Sequence, residues 1–249
     1  MPAISANSCA ASYKPPSASL GGACLIRKKL LSFNTLLFIE TILVIAAAVW
    51  IIKLLFNSGA ADVARLIIPA VLMTAAIVPT LIRGRKLRRI GLNVKNARLS
   101  MRLFFWASLL ILPSVLLVIW LFRLCGINSP LQQGGGLQNR WCYWIVFQFL
   151  YIAMAEELFF RGYLQTNILA ITKKLMRRGL FQRFVVVFAS AICFAAAHMI
   201  IRFQIAGILT FFPGLVLGWL FLRTRSLLAP VLFHGLANTC FVLICMFLT

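Results

Sequence analysis

Seven apolar runs, each long enough or nearly long enough to cross a bilayer, follow one another along this chain. They extend from about Asn34 to Phe56, Leu66 to Ile82, Leu103 to Phe122, Trp141 to Ile171, Phe184 to Ile201, Ile205 to Leu222 and Leu227 to Leu248. A spanning helix needs about 20 predominantly apolar residues, and lipid offers the backbone no outside partner, so such runs must satisfy their own peptide groups as helices. The expected fold class is therefore all-α, a polytopic transmembrane helical bundle of about seven spans. The fourth run is over-long, which calls for a tilt, a break or a cytoplasmic extension.

Composition excludes the main alternative. With 62% hydrophobic and 12% charged residues, a chain of 249 residues has too little polar surface to cover a soluble globule. Its 25 basic residues against 4 acidic ones, net +21, would in a soluble protein point to nucleic acid. Here the basic residues fall between the apolar runs, so they report topology and contact with anionic lipid, and no nucleic-acid partner is expected. With the N-terminus inside, nineteen of them fall on the inner side, which predicts a cytoplasmic N-terminus and an outer C-terminus. The segment Arg83 to Arg102 holds eight basic residues and no acidic one and is expected to lie along the membrane on anionic lipid.

Three regions follow. Residues 1–33 are Ser-, Ala-, Pro- and Gly-rich up to the basic triplet Arg27-Lys28-Lys29 and are expected to be a disordered cytoplasmic tail. Residues 34–140 are expected to form the N-terminal transmembrane helices with the basic loop, and 141–249 a transmembrane core. The stretch from Cys125 to Arg140, with Gly134-Gly135-Gly136, reads as a flexible outer loop. The seven cysteines show no C-x-x-C spacing and read as apolar filler.

Against this background a few side chains are out of place. Glu156 and Glu157 stand together inside an apolar run with Arg161 one turn on, and three uncompensated charges there would cost roughly 8–10 kcal/mol. Glu157 and Arg161 are four apart and can pair along the helix; Glu156 is turned about 100° away and needs another partner. The only two histidines, His198 and His234, lie in other apolar runs, and Asn238 shares a helix face with His234. Glu156 lies 17 residues before Lys173 and His198 lies 15 after Arg183, so on antiparallel helices the two reach similar depth. His234 and Asn238, counted from Ser226, stand about 12 and 18 Å up their helix, within a turn or two of that level. These costly side chains can share one intramembrane pocket.

Other polar or special residues carry plainer readings. Glu40 is expected to reach the basic interface, Gln165 and Asn167 to be interfacial, and Pro213-Gly214 to kink the sixth helix. Gly162 is expected to allow close helix packing and Phe194 to be core.

The ordered set Glu156-Glu157-x-x-x-Arg161-Gly162, Phe194-x-x-x-His198 and His234-x-x-x-Asn238 resembles the CPBP family of intramembrane proteases, which includes Ras-converting CAAX prenyl endopeptidases and bacterial Abi-type proteins. The resemblance covers about Trp141 to Leu248 and implies a catalytic cavity within the membrane. It implies that Glu156 and His198 activate water, that His234 and Asn238 stabilise the oxyanion, and that Glu157 with Arg161 supports the site. No cofactor is required on this reading, and the substrate is a membrane-embedded or lipidated peptide or protein. The chemistry is self-consistent, because peptide hydrolysis needs a base, an acid for the leaving amine and donors for the oxyanion.

Three alternatives remain open at this level. Zinc held by Glu156, His198 and His234 would make a metalloprotease, though there is no H-E-x-x-H. An intramembrane proton relay would make a transporter, for which no internal repeat is visible. A polar cluster kept only to specify helix packing would make a non-proteolytic scaffold.

Overall fold

The structure, a computed structural model, describes residues 20–124, 141–177, 179–202 and 205–248. The chain divides into two compact units, residues 1–36 and 37–249. Helix α1, Leu20–Asn57, begins in the first of these. It therefore starts before the boundary expected at residue 33, while the expected disorder of residues 1–19 and the outer loop at 125–140 lie outside the described residues.

Every regular element among the described residues is helical. Helices α2 (Ala61–Ile82) and α3 (Ala97–Leu124) follow, with a short 3-10 turn at Leu87–Ile90 between them. Six helices are long and apolar enough to cross a membrane, and a shorter apolar helix, Leu228–Leu243, accompanies them. This is an integral multi-pass membrane protein. Large apolar side chains such as Leu43, Trp50, Leu110, Trp120 and Phe181 stand on its surface, as they must where lipid is the solvent.

The over-long fourth run is a single unbroken helix whose pitch changes. It opens as α4 (Trp141–Phe147), widens into a π-helical stretch at Gln148–Ala153 and returns to α-helix as α5 (Met154–Glu157). It widens again at Leu158–Gln165 and ends as α6 (Thr166–Leu175). The two wide stretches flank the Glu156-Glu157 pair, and π turns are commonest where a helix must redirect functional side chains. This helix is also the centre of the core: Ala153, Ala155, Phe159, Phe160 and Tyr163 are buried against Ala48, Ile52, Leu72, Ala76 and Phe194.

Helix α7 (Leu180–Arg202) carries His198. The sixth run differs from expectation, being a 3-10 segment, Ile205–Thr210, followed by α8, Phe211–Thr224. Pro213 falls in the first turn of α8, where its missing N–H removes no helical hydrogen bond, so it opens a helix instead of kinking one. Helix α9, Leu228–Leu248, carries His234 and Asn238.

The basic segment after α2 is also built into the packing of the bundle. Gly91, held at φ 89°, ends the 3-10 turn and packs so close to Phe221 that a Cβ would lie 2.6 Å from its ring. Its carbonyl accepts the N–H of Leu227 at 3.0 Å, Asn93 donates to the Arg225 carbonyl at 2.8 Å, and Asn96 donates to that of Thr224 at 2.8 Å. On the other side Gly162 lets the Ile90 carbonyl approach to where a Cβ would be only 2.6 Å away. The close packing expected at Gly162 is thus against this loop, and the loop touches both the Glu156 helix and the start of α9.

Gln165 and Asn167, expected near the membrane interface, are both fully buried within the protein. Gln165 donates to the Gly218 carbonyl at 2.8 Å, and Asn167 donates to Thr41 at 3.2 Å and accepts from Arg85 at 2.7 Å. Neighbouring elements supply partners for both ends of the Asn167 amide and for the Gln165 N–H, which hydropathy along the sequence does not register.

Candidate active site

The fourth helix, α7 and α9 bring five of the expected side chains together. Glu156 Oε2 lies 3.9 Å from His198 Nε2 and 3.7 Å from His234 Nε2. Both separations exceed hydrogen-bond reach, so the three groups line a common point instead of satisfying one another. Glu156 Oε2 is buried and has no hydrogen-bond partner within the chain, while the side chain as a whole keeps 20% of its surface exposed.

Each imidazole is held from behind. His198 Nδ1 stands 3.0 Å from the Phe194 carbonyl, and a carbonyl only accepts, so Nδ1 carries the proton. His234 Nδ1 stands 2.8 Å from Glu157 Oε1, and the same reasoning makes it the donor. Both rings are thereby fixed with Nε2 toward Glu156. Phe194, one turn before His198, packs on it with ring centroids 4.4 Å apart and meets the His234 ring edge-on at 6.1 Å. The core residue expected at this position also sets the attitude of both imidazoles.

Glu157 and Arg161 are both completely buried and 3.1 Å apart, the i, i+4 pair expected from their spacing. None of the guanidinium N–H groups is aligned on an acceptor despite that closeness, so the attraction is electrostatic, and the Phe194 ring, 4.3 Å from the guanidinium carbon, covers one face of the cation. Glu157 therefore serves two partners, Arg161 along its own helix and His234 across to α9. The second was not apparent in the sequence, because it depends on how α9 is turned.

Asn238 lies one turn beyond His234 and does not join the Glu156 cluster directly. Its amide donates to Gln148 Oε1 at 3.3 Å. Sequence reasoning missed Gln148, whose one available signal was a lone amide in an apolar run, eight residues before Glu156. A carboxylate, two oriented imidazoles and an amide can together exchange protons with a water and donate to a developing negative charge. Among the described residues no group of three or more His, Cys, Asp or Glu side chains is arranged to hold a metal ion.

With this arrangement in view, one comparison with known families bears on the segment that builds it. Residues 138–240 match the model of the type II CAAX prenyl endopeptidase Rce1-like family. This segment is similar to that family. The matched stretch holds all three motifs, from Gln148 and the glutamate pair through His198 to Asn238, whereas α1 to α3 fall outside it. No curated protein and no solved structure matches the chain. The match to the Rce1-like family model agrees with the CAAX-protease resemblance carried by the three motifs.

Proposed function

We propose that this protein is an intramembrane endopeptidase that hydrolyses a peptide bond in a membrane-embedded or lipidated peptide or protein, by a water that Glu156 and His198 activate. The observation that carries the reading is the unpartnered, buried Glu156 oxygen between two imidazoles whose other nitrogens are tied back. A carboxylate desolvated for structure alone would be expected to hold a hydrogen bond. One left facing two Nε2 atoms is poised to take a proton from water and return it to the leaving amine.

The tautomers inferred from the ring contacts support the remaining roles. His198, with its proton on Nδ1, presents Nε2 as the acceptor nitrogen of the ring, the role that taking up a water proton requires. His234 spends Nδ1–H on Glu157, so it can donate to an oxyanion from Nε2 only as an imidazolium. That charge state balances the site: two glutamates, one arginine and one cationic histidine sum to zero. Asn238 supplies a second, neutral donor to the oxyanion. No metal enters this scheme. The orientation with the N-terminus in the cytoplasm and the C-terminus outside, and the contact of the basic loops with anionic lipid, are part of the same proposal and rest on the distribution of Lys and Arg.

The test is to compare C-terminal peptides by mass spectrometry in cells expressing the wild type or Glu156→Gln. Peptides released only by the wild type are expected. Identical peptide profiles, with both proteins present in the membrane, would refute proteolysis by this site and favour a scaffold.

A further inference from the structure

The amide of Asn238 is engaged by a residue that the mechanism above does not use. Gln148 Oε1 accepts from Asn238 Nδ2 at 3.3 Å, and Gln148 stands on the same helix as Glu156, eight residues earlier. In an unbroken α-helix eight residues turn through about 800°, which leaves the two side chains roughly 80° apart. The π-helical stretch Gln148–Ala153 lies between them. A π bulge takes up one extra residue and sets the register back by about 100°, so Gln148 falls within roughly 20° of the Glu156 face.

The same stretch is seated on α9. At Gly235, between His234 and Asn238, an added Cβ would lie 2.6 Å from the Phe149 ring, so the bare backbone of α9 receives the side chain that follows Gln148. The wide turn thus does two things at once: it rotates Gln148 toward the catalytic face and fixes its level opposite Asn238.

A primary amide has two N–H donors and one oxygen, and a half-turn about its last bond exchanges them. With one N–H of Asn238 bound by Gln148 Oε1, the second N–H is left for the oxyanion. In the opposite orientation the electron-rich Oδ1 would take its place and repel the developing charge. We infer that Gln148 is a positioning residue, holding Asn238 in the orientation that donates to the oxyanion. The inference rests on the oxyanion role proposed above for Asn238.

The test is a double-mutant cycle on the full-length protein in detergent, with Gln148→Leu, Asn238→Ala, their combination, and Gln148→Glu, which keeps an acceptor oxygen. Turnover and KM are measured on a peptide identified by the C-terminal profiling, alongside the melting temperature of each variant. Asn238→Ala should lower kcat about 100-fold and Gln148→Leu about tenfold with KM little changed, because one donor is lost in the first and misdirected in the second. The double variant should be no slower than Asn238→Ala alone, since Gln148 acts only through Asn238. Gln148→Glu should recover most of the rate. Additive losses, a wild-type rate in Gln148→Leu, or an equal loss in Gln148→Leu and Gln148→Glu that tracks a shared drop in melting temperature would each overturn the positioning role. Wild-type turnover in Asn238→Ala, with Glu156→Gln still inactive, overturns the oxyanion role and Gln148's with it. A wild type that cleaves nothing overturns the proposed function itself, and the positioning role falls with it.

Discussion

The fourth helix carries polar side chains at two levels, and the two groups treat their hydrogen bonds in opposite ways. Toward α6, Tyr163 donates to Glu40 Oε1 at 3.2 Å while Arg83 pairs with Glu40 Oε2, and Asn167 uses both ends of its amide on Arg85 and Thr41. Burial and the neighbouring Arg83 pull the Arg85 guanidinium below its usual range, yet it still has an acceptor in Asn167. One turn or two away, Glu156 Oε2, Glu157 Oε2 and all three Arg161 nitrogens lack aligned partners. A satisfied polar network ties helices together, whereas a cluster of charged groups without aligned partners in a well-packed core calls for a reason other than packing, which the proposed reaction would supply. The satisfied group joins α1, the loop after α2 and the fourth helix, and its work is finished when the protein has folded. The unsatisfied group joins the fourth helix, α7 and α9.

That contrast is open to direct tests. Glu156→Gln should remove about 10²–10⁴-fold of turnover, the range for a general base, while leaving the melting temperature unchanged or slightly raised. A clear fall in melting temperature would show Glu156 to be a satisfied structural group after all. Arg161→Met strands the fully buried charge of Glu157, and chemical denaturation in micelles should show a loss of about 3–5 kcal/mol. Unchanged stability would mean that His234 alone compensates Glu157. Glu40→Gln keeps an acceptor for Arg83 and Tyr163 but removes the charge; because the pair is 20–26% exposed, about 1 kcal/mol of stability should be lost. Activity per folded molecule should stay within about twofold, since no catalytic contact is touched. A larger loss of rate would place Glu40 in the functional class and erase the distinction. Last and smallest, dialysis against a chelator should not change turnover; loss of activity restored by zinc would establish the metal alternative.

Much of the site could be read from the chain because its members are expensive where they stand. Glu156, Glu157, Arg161, His198 and His234 interrupt apolar runs, and any charge or imidazole in such a run needs compensation from somewhere. Helical spacing predicted the Glu157–Arg161 pair, and counting from the Lys173–Arg183 connection placed Glu156 level with His198, which the 3.9 Å separation bears out. Glu40 pairs with the basic segment as its position near that segment implied. What could not be read depends on rotation and pitch. The role of Gln148 rests on a π stretch that no residue pattern announces, and the burial of Gln165 and Asn167 rests on Gly218 and Thr41 arriving from other helices. Pro213 could be placed in a helix by the apolar run but not at its start, because the break before α8 is a property of the turn at Ile205–Thr210.

The sequence by itself therefore determined that the chain lives in a bilayer, that it is all-helical, and which side chains must find partners, because transfer free energies and helical periodicity act residue by residue. Only the tertiary structure decided which partners they find. It turned His234 so that Glu157 holds its Nδ1, faced both Nε2 atoms toward one Glu156 oxygen, and set Asn238 on Gln148. Those outcomes depend on how three helices are rotated and seated against one another, which is fixed by packing across the whole bundle and not by any local stretch of chain.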